Sequence, residues 1–382
     1  MSNIVALKHL CEIDITDGTH KTPTYSNEGF IFLSSKNVTS GRIDWNDVMY
    51  IPQWLHDELY KRIAPQKDDI LLAKNGTTGV AAIVDKDEIF DIYVSLALIR
   101  PNKSKILPRY LLHAINSEPS KKFFDSHLKG VGVPNLHLTH IRETPINVPS
   151  FGQQQYIVDV LDKLESIVFL RKQQLLKLDE LVKSRFVELF IGKGYPQRTI
   201  DEVSLGKGEY GAQSASIEYD ATRPRYVRIT DINDDGTLND DIVSSINPAD
   251  DEQYKLEYGD FMFARMGATV GKTYAFIEGN QIFAGYLIRY RLNRELINPR
   301  YLYWYTRLDE YWSWVKLNQS GAAQPGINAK KYGSLQIPLP PIKDQDAFAA
   351  FVEQTDKSKF EIQKSLEKLE TLKKALMQKY FG

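Results

Sequence analysis

The feature that most constrains this chain is that its second half repeats its first half at a constant offset. Residues 69–76, DILLAKNG, match residues 260–267, DFMFARMG, which lie 191 positions later. The same offset relates residues 108–111 to residues 299–302, Pro134 to Pro325, Ile146 to Ile337, and Phe190 to Phe381. Twice 191 is 382, the length of the chain. The sequence therefore predicts one structural unit built twice.

The register between the two copies is looser upstream of these matches. Residues 32–38, FLSSKNV, resemble residues 226–232, YVRITDI, only if small insertions are allowed. The string DGTH at residues 17–20 has no equal in the second copy, which carries GEYG at residues 208–211 nearby. Surface loops vary more readily than the frame that holds them, so the copies should differ where they recognise a ligand.

Each copy begins with a pattern typical of a mixed α/β domain. Short apolar runs such as residues 70–73 and 96–99 alternate with Gly, Pro, Asn and Asp turn signals. A segment without helix breakers follows the Pro-Arg-Tyr-Leu box at residues 108–111 and again at 299–302, and we expect both segments to be core helices. We place the domains at residues 1–150 and 193–341.

A long helix should follow each domain, at residues 151–192 and 342–382. The first has neither Pro nor Gly from Gln153 to Phe190, Ser150 and Gln153 form a capping box, and Gly192 can end it. About 38 residues give a helix of about 57 Å, which exceeds one small domain. Apolar residues spaced by three and four predict two seams, at Ile157, Leu161, Leu164, Val168, Leu175, Leu178 and Val182, and at Phe348, Val352, Ile362, Leu366, Leu369 and Leu376. Two matching seams joined through a globular domain favour an antiparallel coiled coil over two helices that each pack only on their own domain.

Composition excludes several classes of protein. Lys and Arg number 48 against 49 Asp and Glu, so DNA binding has to be argued from local features rather than from net charge. The single cysteine, Cys11, excludes an internal disulfide and a cysteine-rich zinc module. With no leader pattern and no apolar run of about 18 residues, we expect a cytoplasmic chain without a membrane segment.

Three motifs that suggest chemistry fail on inspection. A phosphate-binding loop has four residues between its first glycine and Gly-Lys-Thr, but residues 267–273, GATVGKT, have only three, and Met266 stands where the first glycine should be. Residues 76–80 of the first copy have no lysine. Both strings therefore indicate hairpin turns. His137 and His140 correspond to Asn328 and Lys331 in the second copy, which argues against a metal site. The one Pro-Pro, at residues 340–341, lacks the flanking residues of an adenine methyltransferase box. We expect no metal, no cofactor and no catalysis by this chain.

The order of parts resembles the specificity subunits of type I restriction-modification enzymes over essentially the whole chain. The boxes at residues 69–76 and 260–267 carry the resemblance, together with residues 17–25, DGTHKTPTY, and the Gln-rich helix start at residues 152–155, GQQQ. The resemblance implies two target recognition domains that each read one half of an interrupted DNA sequence. It also implies that the helices set the spacer and dock two methyltransferase subunits, in a complex that includes restriction subunits.

Basic and amide side chains near the predicted turns are suited to contacts with phosphates and base edges of double-stranded DNA. The candidates of the first copy are Thr19, His20, Lys21, Lys36, Asn37, Lys74, Asn75, Thr77 and Thr78. Those of the second copy are Arg223, Arg225, Arg228, Arg265, Thr269 and Lys272. Two other functions compete with this one. An ATP-binding enzyme would use the loop at Lys272, where we expect no ATP binding, and a bivalent coiled-coil scaffold without preference among DNA sequences would fit the duplication equally well.

Overall fold

The computed structural model describes residues 3–128, 134–246, 252–320 and 325–382, and the chain forms two compact units. One unit comprises residues 1–172 and 364–382, and the other comprises residues 173–363. Each unit therefore contains one globular part and a portion of each long helix.

The first unit is a mixed α/β structure. Its strands are β1 (Ile4–Ala6), β2 (Thr16–Asp17), β3 (Phe30–Leu33), β4 (Met49–Ile51), β5 (Ile70–Ala73), β6 (Ala81–Ile83), β7 (Phe90–Ile92), β8 (Leu96–Ile99) and β9 (Pro145–Asn147). Its helices are α1 (Gln53–Arg62), α2 (Pro108–Ile115), α3 (Glu118–Ser126), α4 (Leu138–Arg142) and the first part of α5 (Phe151–Phe190).

The strands of the first unit form three small sheets. An antiparallel sheet has the order β2-β8-β5-β6, a second sheet has the order β4-β3-β7 with β3 and β7 parallel, and β1 pairs with β9. The four residues of β5 and of β8 are all buried, as expected of apolar runs at the centre of a sheet. Tyr110 and Leu111 of α2 are also fully buried, which confirms that the helix after the Pro-Arg-Tyr-Leu box belongs to the core.

The second unit repeats this plan. Its strands are β10 (Gln197–Thr199), β11 (Glu209–Tyr210), β12 (Ile217–Glu218), β13 (Arg225–Val227), β14 (Ser244–Ser245), β15 (Asp260–Ala264), β16 (Thr273–Ala275), β17 (Gln281–Phe283), β18 (Leu287–Arg291) and β19 (Gln336–Pro338). Its helices are α6 (Pro299–Tyr305), α7 (Asp309–Asn318), α8 (Ala329–Gly333) and the first part of α9 (Ile342–Phe381). The sheets are β11-β18-β15-β16, β12-β14-β13-β17 and β10-β19, so the order of each first-unit sheet recurs.

The structure confirms the internal repeat and locates its insertions. The helices α2 and α6, the strands β9 and β19, and the 40-residue helices α5 and α9 all begin 191 positions apart. The offset is 193 between β1 and β10 and between β2 and β11, so the first copy is two residues longer than the second between β2 and the box at residues 69–76. Between β3 and β5 the first copy has a 3₁₀ helix (Ser35–Val38), β4 and α1. The described residues between β13 and β15 form a 3₁₀ helix (Ile229–Asp231), β14 and a second 3₁₀ turn, Glu252–Tyr254.

The two long helices run antiparallel within each unit. In the first unit Glu165 of α5 forms an ion pair with Lys373 of α9 at 2.7 Å, and Lys172 pairs with Glu370 at 3.1 Å. In the second unit Asp179 of α5 pairs with Lys359 of α9. The residue numbers on α5 rise while those of their partners on α9 fall, so the two helices have the antiparallel order predicted from the sequence.

The apolar seams predicted on the helices are turned away from solvent. Ile157, Leu161, Leu164, Val182, Phe348, Val352, Ile362 and Leu366 are buried. Val168, Leu175, Leu178, Leu369 and Leu376 are partly exposed. The helices also pack on the globular parts. The ring of Phe190 contacts that of Tyr301 edge to face with ring centres 5.1 Å apart, and the ring centres of Phe381 and Tyr110 are 5.4 Å apart. Pairing and packing on a domain therefore occur together and are not alternatives.

Both predicted signals at the ends of α5 are confirmed. The backbone N–H of Ser150 donates to Oε1 of Gln153 at 3.2 Å, and the N–H of Gln153 donates back to Oγ of Ser150 at 3.4 Å. After the helix ends, Gly192 takes a φ of 69°, a left-handed conformation that glycine adopts without strain. Among the described residues, no helix has an apolar stretch of the length needed to cross a membrane.

A buried charge network lies in the sheet of the second unit, at the place where the first unit has the ion pair of Asp69 with Arg100 at 2.8 Å. Arg289 on β18 is only 2 % exposed, and its guanidinium lies 3.5 Å from the carboxylate of Asp260 and also bonds Glu209. Burial raises the pKa of Asp260, and the positive charges of Arg289 and Arg291 offset this only partly. The carboxylate is therefore tolerated in the sheet because a cation lies beside it.

We expect Arg289→Met to lower the free energy of unfolding by about 3–5 kcal/mol, because it leaves Asp260 as a buried charge without its partner. The deficit should shrink at acidic pH, where Asp260 is protonated in both the folded and unfolded states and the penalty disappears. Arg291→Met is the matched control, since Arg291 is half-exposed and lies 3.7 Å from Glu209, and it should cost less than about 1 kcal/mol. Urea unfolding of the full chain measures both, and equal losses would contradict this account.

Candidate nucleic-acid interface

In the first copy, short segments from distant parts of the sequence meet beyond the end of β5. The backbone N–H of Lys74 donates to the carbonyl of Ser95, and Oγ of Ser95 accepts from the N–H of Ser35. A Cβ on Gly76 would lie 3.9 Å from Oγ of Ser35, so the turn after β5 lies beside the 3₁₀ helix Ser35–Val38. The structure thus brings together the two segments that contain Lys36, Asn37 and residues 74–78.

The predicted first-copy side chains divide by exposure. His20, Lys21, Lys36 and Thr77 are exposed, and Asn75 and Thr78 are partly exposed. Thr19, Asn37 and Lys74 are buried. Oδ1 of Asn37 accepts from the N–H of Ser34, and its Nδ2 donates to the carbonyl of Asp47 at 2.8 Å, so Asn37 shapes the loop. Lys74 lies 2.8 Å from the carboxylate of Asp17, an ion pair with both side chains only 8 % exposed.

In the second copy an acidic segment neutralises most of the predicted cations. Arg225 pairs with Asp240 at 2.6 Å, Arg228 with Asp231 at 2.9 Å, and Lys272 with Asp234 at 2.7 Å. These acidic partners all lie within residues 231–241. The hydrogen bond and positive charge of Lys272 lower the pKa of Asp234.

The remaining second-copy candidates have partners outside residues 231–241. Arg223 pairs with Asp220 at 3.4 Å, and Oγ1 of Thr269 donates to the carbonyl of Met266 at 3.1 Å. Arg265 differs from the others, because its guanidinium lies over the ring of Tyr210, 4.7 Å from the ring centre.

Lys272 itself lies between β15 and β16, which pair as an antiparallel hairpin. Its Nζ donates to the carbonyl of Ile232 at 3.1 Å in addition to its ion pair. The glycine-rich string is therefore a hairpin turn in the structure, as its spacing predicts, and its lysine is held by the protein's own groups.

The sequence did not reveal which part of the second copy corresponds to residues 17–20. The N–H of Thr19 donates to the carbonyl of Ile92, and the N–H of Ala212 donates to the carbonyl of Phe283, which is the equivalent residue one copy later. Residues 210–213, YGAQ, therefore take the place of residues 17–20, DGTH. Only the glycine recurs, and in both copies a Cβ there would lie within 2.5 Å of a carbonyl oxygen of the adjacent strand.

The attachment of each domain to its following helix repeats in detail. Gln154 is 1 % exposed, and its Oε1 accepts from the N–H of Leu107 at 2.9 Å while its Nε2 donates to the carbonyl of Pro149. In the second unit Gln345 accepts from the N–H of Asn298 at 2.9 Å and donates to the carbonyl of Pro340. The Gln-rich helix start is thus a structural joint. The periodic pattern of the helix sequence did not predict this role of the glutamines.

A histidine strengthens this joint in the first unit alone. His113 of α2 is buried, with Nε2 2.7 Å from Asp162 and Nδ1 3.9 Å from Glu165. Arg109 also bonds Asp162 at 2.8 Å. Burial of Asp162 is outweighed by hydrogen bonds from His113 and Arg109, which hold its pKa below the usual value. Both carboxylates already have cationic partners, since Lys373 lies against Glu165, so the three groups form an ion-pair joint rather than an open metal site.

Comparison with known proteins agrees with the repeated architecture. The family model described as "Type I restriction modification DNA specificity domain" matches residues 2–180 and again residues 197–374. The chain belongs to this family. Its two matches together cover most of the sequence, so both copies are specificity domains of the family.

Two relatives extend over nearly the whole chain. A Methanocaldococcus jannaschii protein, described as the MjaX specificity subunit of a type I restriction enzyme, is 23% identical and covers 97% of this chain and 90% of its own length. The StySPI specificity subunit of Salmonella potsdam is 22% identical over 91% of this chain and 81% of its own length. A crystal structure of a type I restriction-modification S subunit from M. genitalium has the same fold, with a TM-score of 0.62 at 13% identity over 100% of this chain and 96% of that one.

Proposed function

We propose that this chain is the DNA-specificity subunit of a type I restriction-modification complex, in which each domain reads one half of an interrupted target. The observation that carries the proposal is that the two domains share one scaffold of sheets and helices but differ in the residues at one edge of the sheet. The copies share the order of strands in their sheets, and the helices α2 and α6, and α5 and α9, begin 191 positions apart. The residues beyond β5 and β15 and at positions 17–20 and 210–213 nevertheless differ in charge and size. Two equal scaffolds with unequal edges suit the reading of two different short sequences.

DNA contacts are assigned to the exposed members of the candidate set. In the first domain these are His20, Lys21, Lys36 and Thr77, with Asn75 and Thr78 beside them. In the second domain the available cation is Arg265, while Arg225, Arg228 and Lys272 hold the loop in shape through their ion pairs. The buried Thr19, Asn37 and Lys74 would not contact DNA and would instead hold the exposed residues of the first domain in position.

Partners of the chain follow from the same proposal. The antiparallel helices would fix the spacer between half-sites, and each repeat would dock one methyltransferase subunit, giving two in the complex together with restriction subunits. The chain itself would bind DNA without carrying out a catalytic step or holding a cofactor. A function on chromosomal DNA would be carried out in the cytoplasm.

Methylation mapping of the reconstituted complex tests the proposal. The full chain is combined with the methyltransferase subunits of its source and incubated with a random DNA library, and modified sites are read by sequencing. We expect one interrupted bipartite site, and none when this chain is omitted. A bivalent scaffold would instead give methylation without sequence preference, and this result would refute the assignment.

A further inference from the structure

Two equivalent positions at the recognition edge hold different kinds of cation pair in the two copies. Asp17 lies opposite Ala97 in the first sheet, and Tyr210 lies opposite Ile288, the residue 191 positions after Ala97. The cation beyond the central strand is Lys74 in the first copy and Arg265 in the second, again 191 positions apart. The same place in the fold therefore carries an Asp–Lys pair once and a Tyr–Arg pair once.

The two pairs leave the cation in different states. Lys74 and Asp17 form a buried ion pair with Nζ 2.8 Å from the carboxylate, so the lysine charge is neutralised within the domain. Arg265 is partly exposed and stacks on Tyr210, which is 41% exposed and contributes no negative charge. Among the residues that the structure describes, no carboxylate forms an ion pair with Arg265. Stacking on an aromatic ring orients the planar guanidinium while leaving its N–H donors free.

The neighbouring residues differ in the same sense. The N–H of Arg265 donates to the carbonyl of Tyr286, and the N–H of Lys74 donates to the carbonyl of Ser95, the equivalent residue. Tyr286 is 57% exposed, whereas Ser95 is buried. The second copy thus presents Arg265, Tyr210 and Tyr286 to solvent at positions where the first copy has the buried residues Lys74, Asp17 and Ser95.

We propose, on the basis of the function assigned above, that Arg265 is a specificity-determining residue that reads a guanine in the second half-site and that Tyr210 positions it. A guanidinium held in one plane matches the O6 and N7 acceptors of guanine in the major groove. A phosphate offers a similar pair of oxygens, but phosphates occur in every DNA sequence. A phosphate contact would be useful to both domains, whereas this cation is available in only one of them. The first domain has no equivalent arginine contact, because its equivalent residue, Lys74, is held in an ion pair by Asp17.

Arg265→Lys separates a guanine contact from a phosphate contact, since it keeps the charge and removes the planar pair of donors. The full chain with its methyltransferase subunits is bound to duplexes in which each base pair of the mapped target is varied in turn. We expect the preference for guanine at one position of the second half-site to fall on the order of 10- to 100-fold, with every position of the first half-site unchanged. Tyr210→Ala should weaken the preference at that same position.

Arg291→Lys is the matched control, because Arg291 is a half-exposed arginine of the same sheet that pairs with Glu209, and it should leave all base preferences unchanged. An equal change in affinity for all sequences in Arg265→Lys, with the dependence on salt retained, would identify a phosphate contact and overturn the proposal. Unchanged preferences at every position would overturn it as well. Failure of the proposed function is distinguishable, since the unmodified complex would then show no sequence preference at all.

Discussion

Replacing residues 1–150 with residues 192–341 of the same chain should convert the target into a site that contains the second half-site twice. The replacement is in register, because α5 and α9 begin 191 positions apart. The incoming domain would offer the backbone N–H of Asn298 to Gln154, as it now does to Gln345. Recognition lies in the domain and the spacer in the helices, so the first half-site should be lost completely while the spacer length stays the same. Methylation mapping of the reconstituted complex measures both.

The exchange has one local cost that a second variant can remove. Trp304 would take the place of His113 beside Asp162 and Glu165, and those carboxylates would lose a hydrogen-bonding partner. Trp304→His within the grafted domain restores the histidine and should recover stability without changing the target. A graft that retains the first half-site, or that changes the spacer, would contradict the division of labour between domains and helices.

A fragment of residues 1–192 should form a homodimer that, with methyltransferase subunits, modifies an interrupted palindrome of the first half-site. In the intact chain Phe381 of α9 packs at Tyr110, and Phe190 of α5 packs at the equivalent Tyr301. The fragment lacks α9, but Phe190 of a second molecule is the residue equivalent to Phe381 and can occupy the place at Tyr110. Protein symmetry would then impose symmetry on the site.

The homodimer should be weaker than the intact pairing for an identifiable reason. Arg185 would stand where Leu376 packs now, and Val182 would replace Lys373, the cation that faces Glu165. Arg185→Leu should therefore shift the monomer–dimer equilibrium toward the dimer, as measured by sedimentation over a range of protein concentrations. A fragment that remains monomeric at every concentration, or a dimer that selects an asymmetric site, would refute the prediction.

The architecture could be predicted from the sequence because periodicity reports it directly. Constant spacing fixed the repeat, the apolar runs gave β5 and β8, and the unbroken helical pattern gave α5 and α9. The order of parts and the repeated box carried the family resemblance, which the match to residues 2–180 and 197–374 confirms.

The details of the recognition edge could not be obtained in this way. Lys74 and Arg265 are equivalent basic residues in a shared box, and the sequence gave no reason to separate them. What separates them is a partner 57 and 55 positions earlier, Asp17 on β2 and Tyr210 on β11. One further strand lies between the strand of each partner and β5 or β15. Whether a basic side chain is neutralised depends on which acidic side chain the fold places beside it. The sequence pattern likewise did not show that residues 231–241 supply such partners to Arg225, Arg228 and Lys272.

The buried glutamines at the helix starts have a consequence for how such chains diversify. Gln154 and Gln345 bind the preceding domain through peptide N–H and carbonyl groups, at Leu107 and Pro149 and at Asn298 and Pro340. Peptide groups are common to all sequences, so this joint requires a backbone path and places no demand on those four side chains. Recombination between genes could therefore deliver an unrelated recognition surface as a cassette that this joint accepts, whereas side-chain contacts such as that of His113 with Asp162 would still have to be matched.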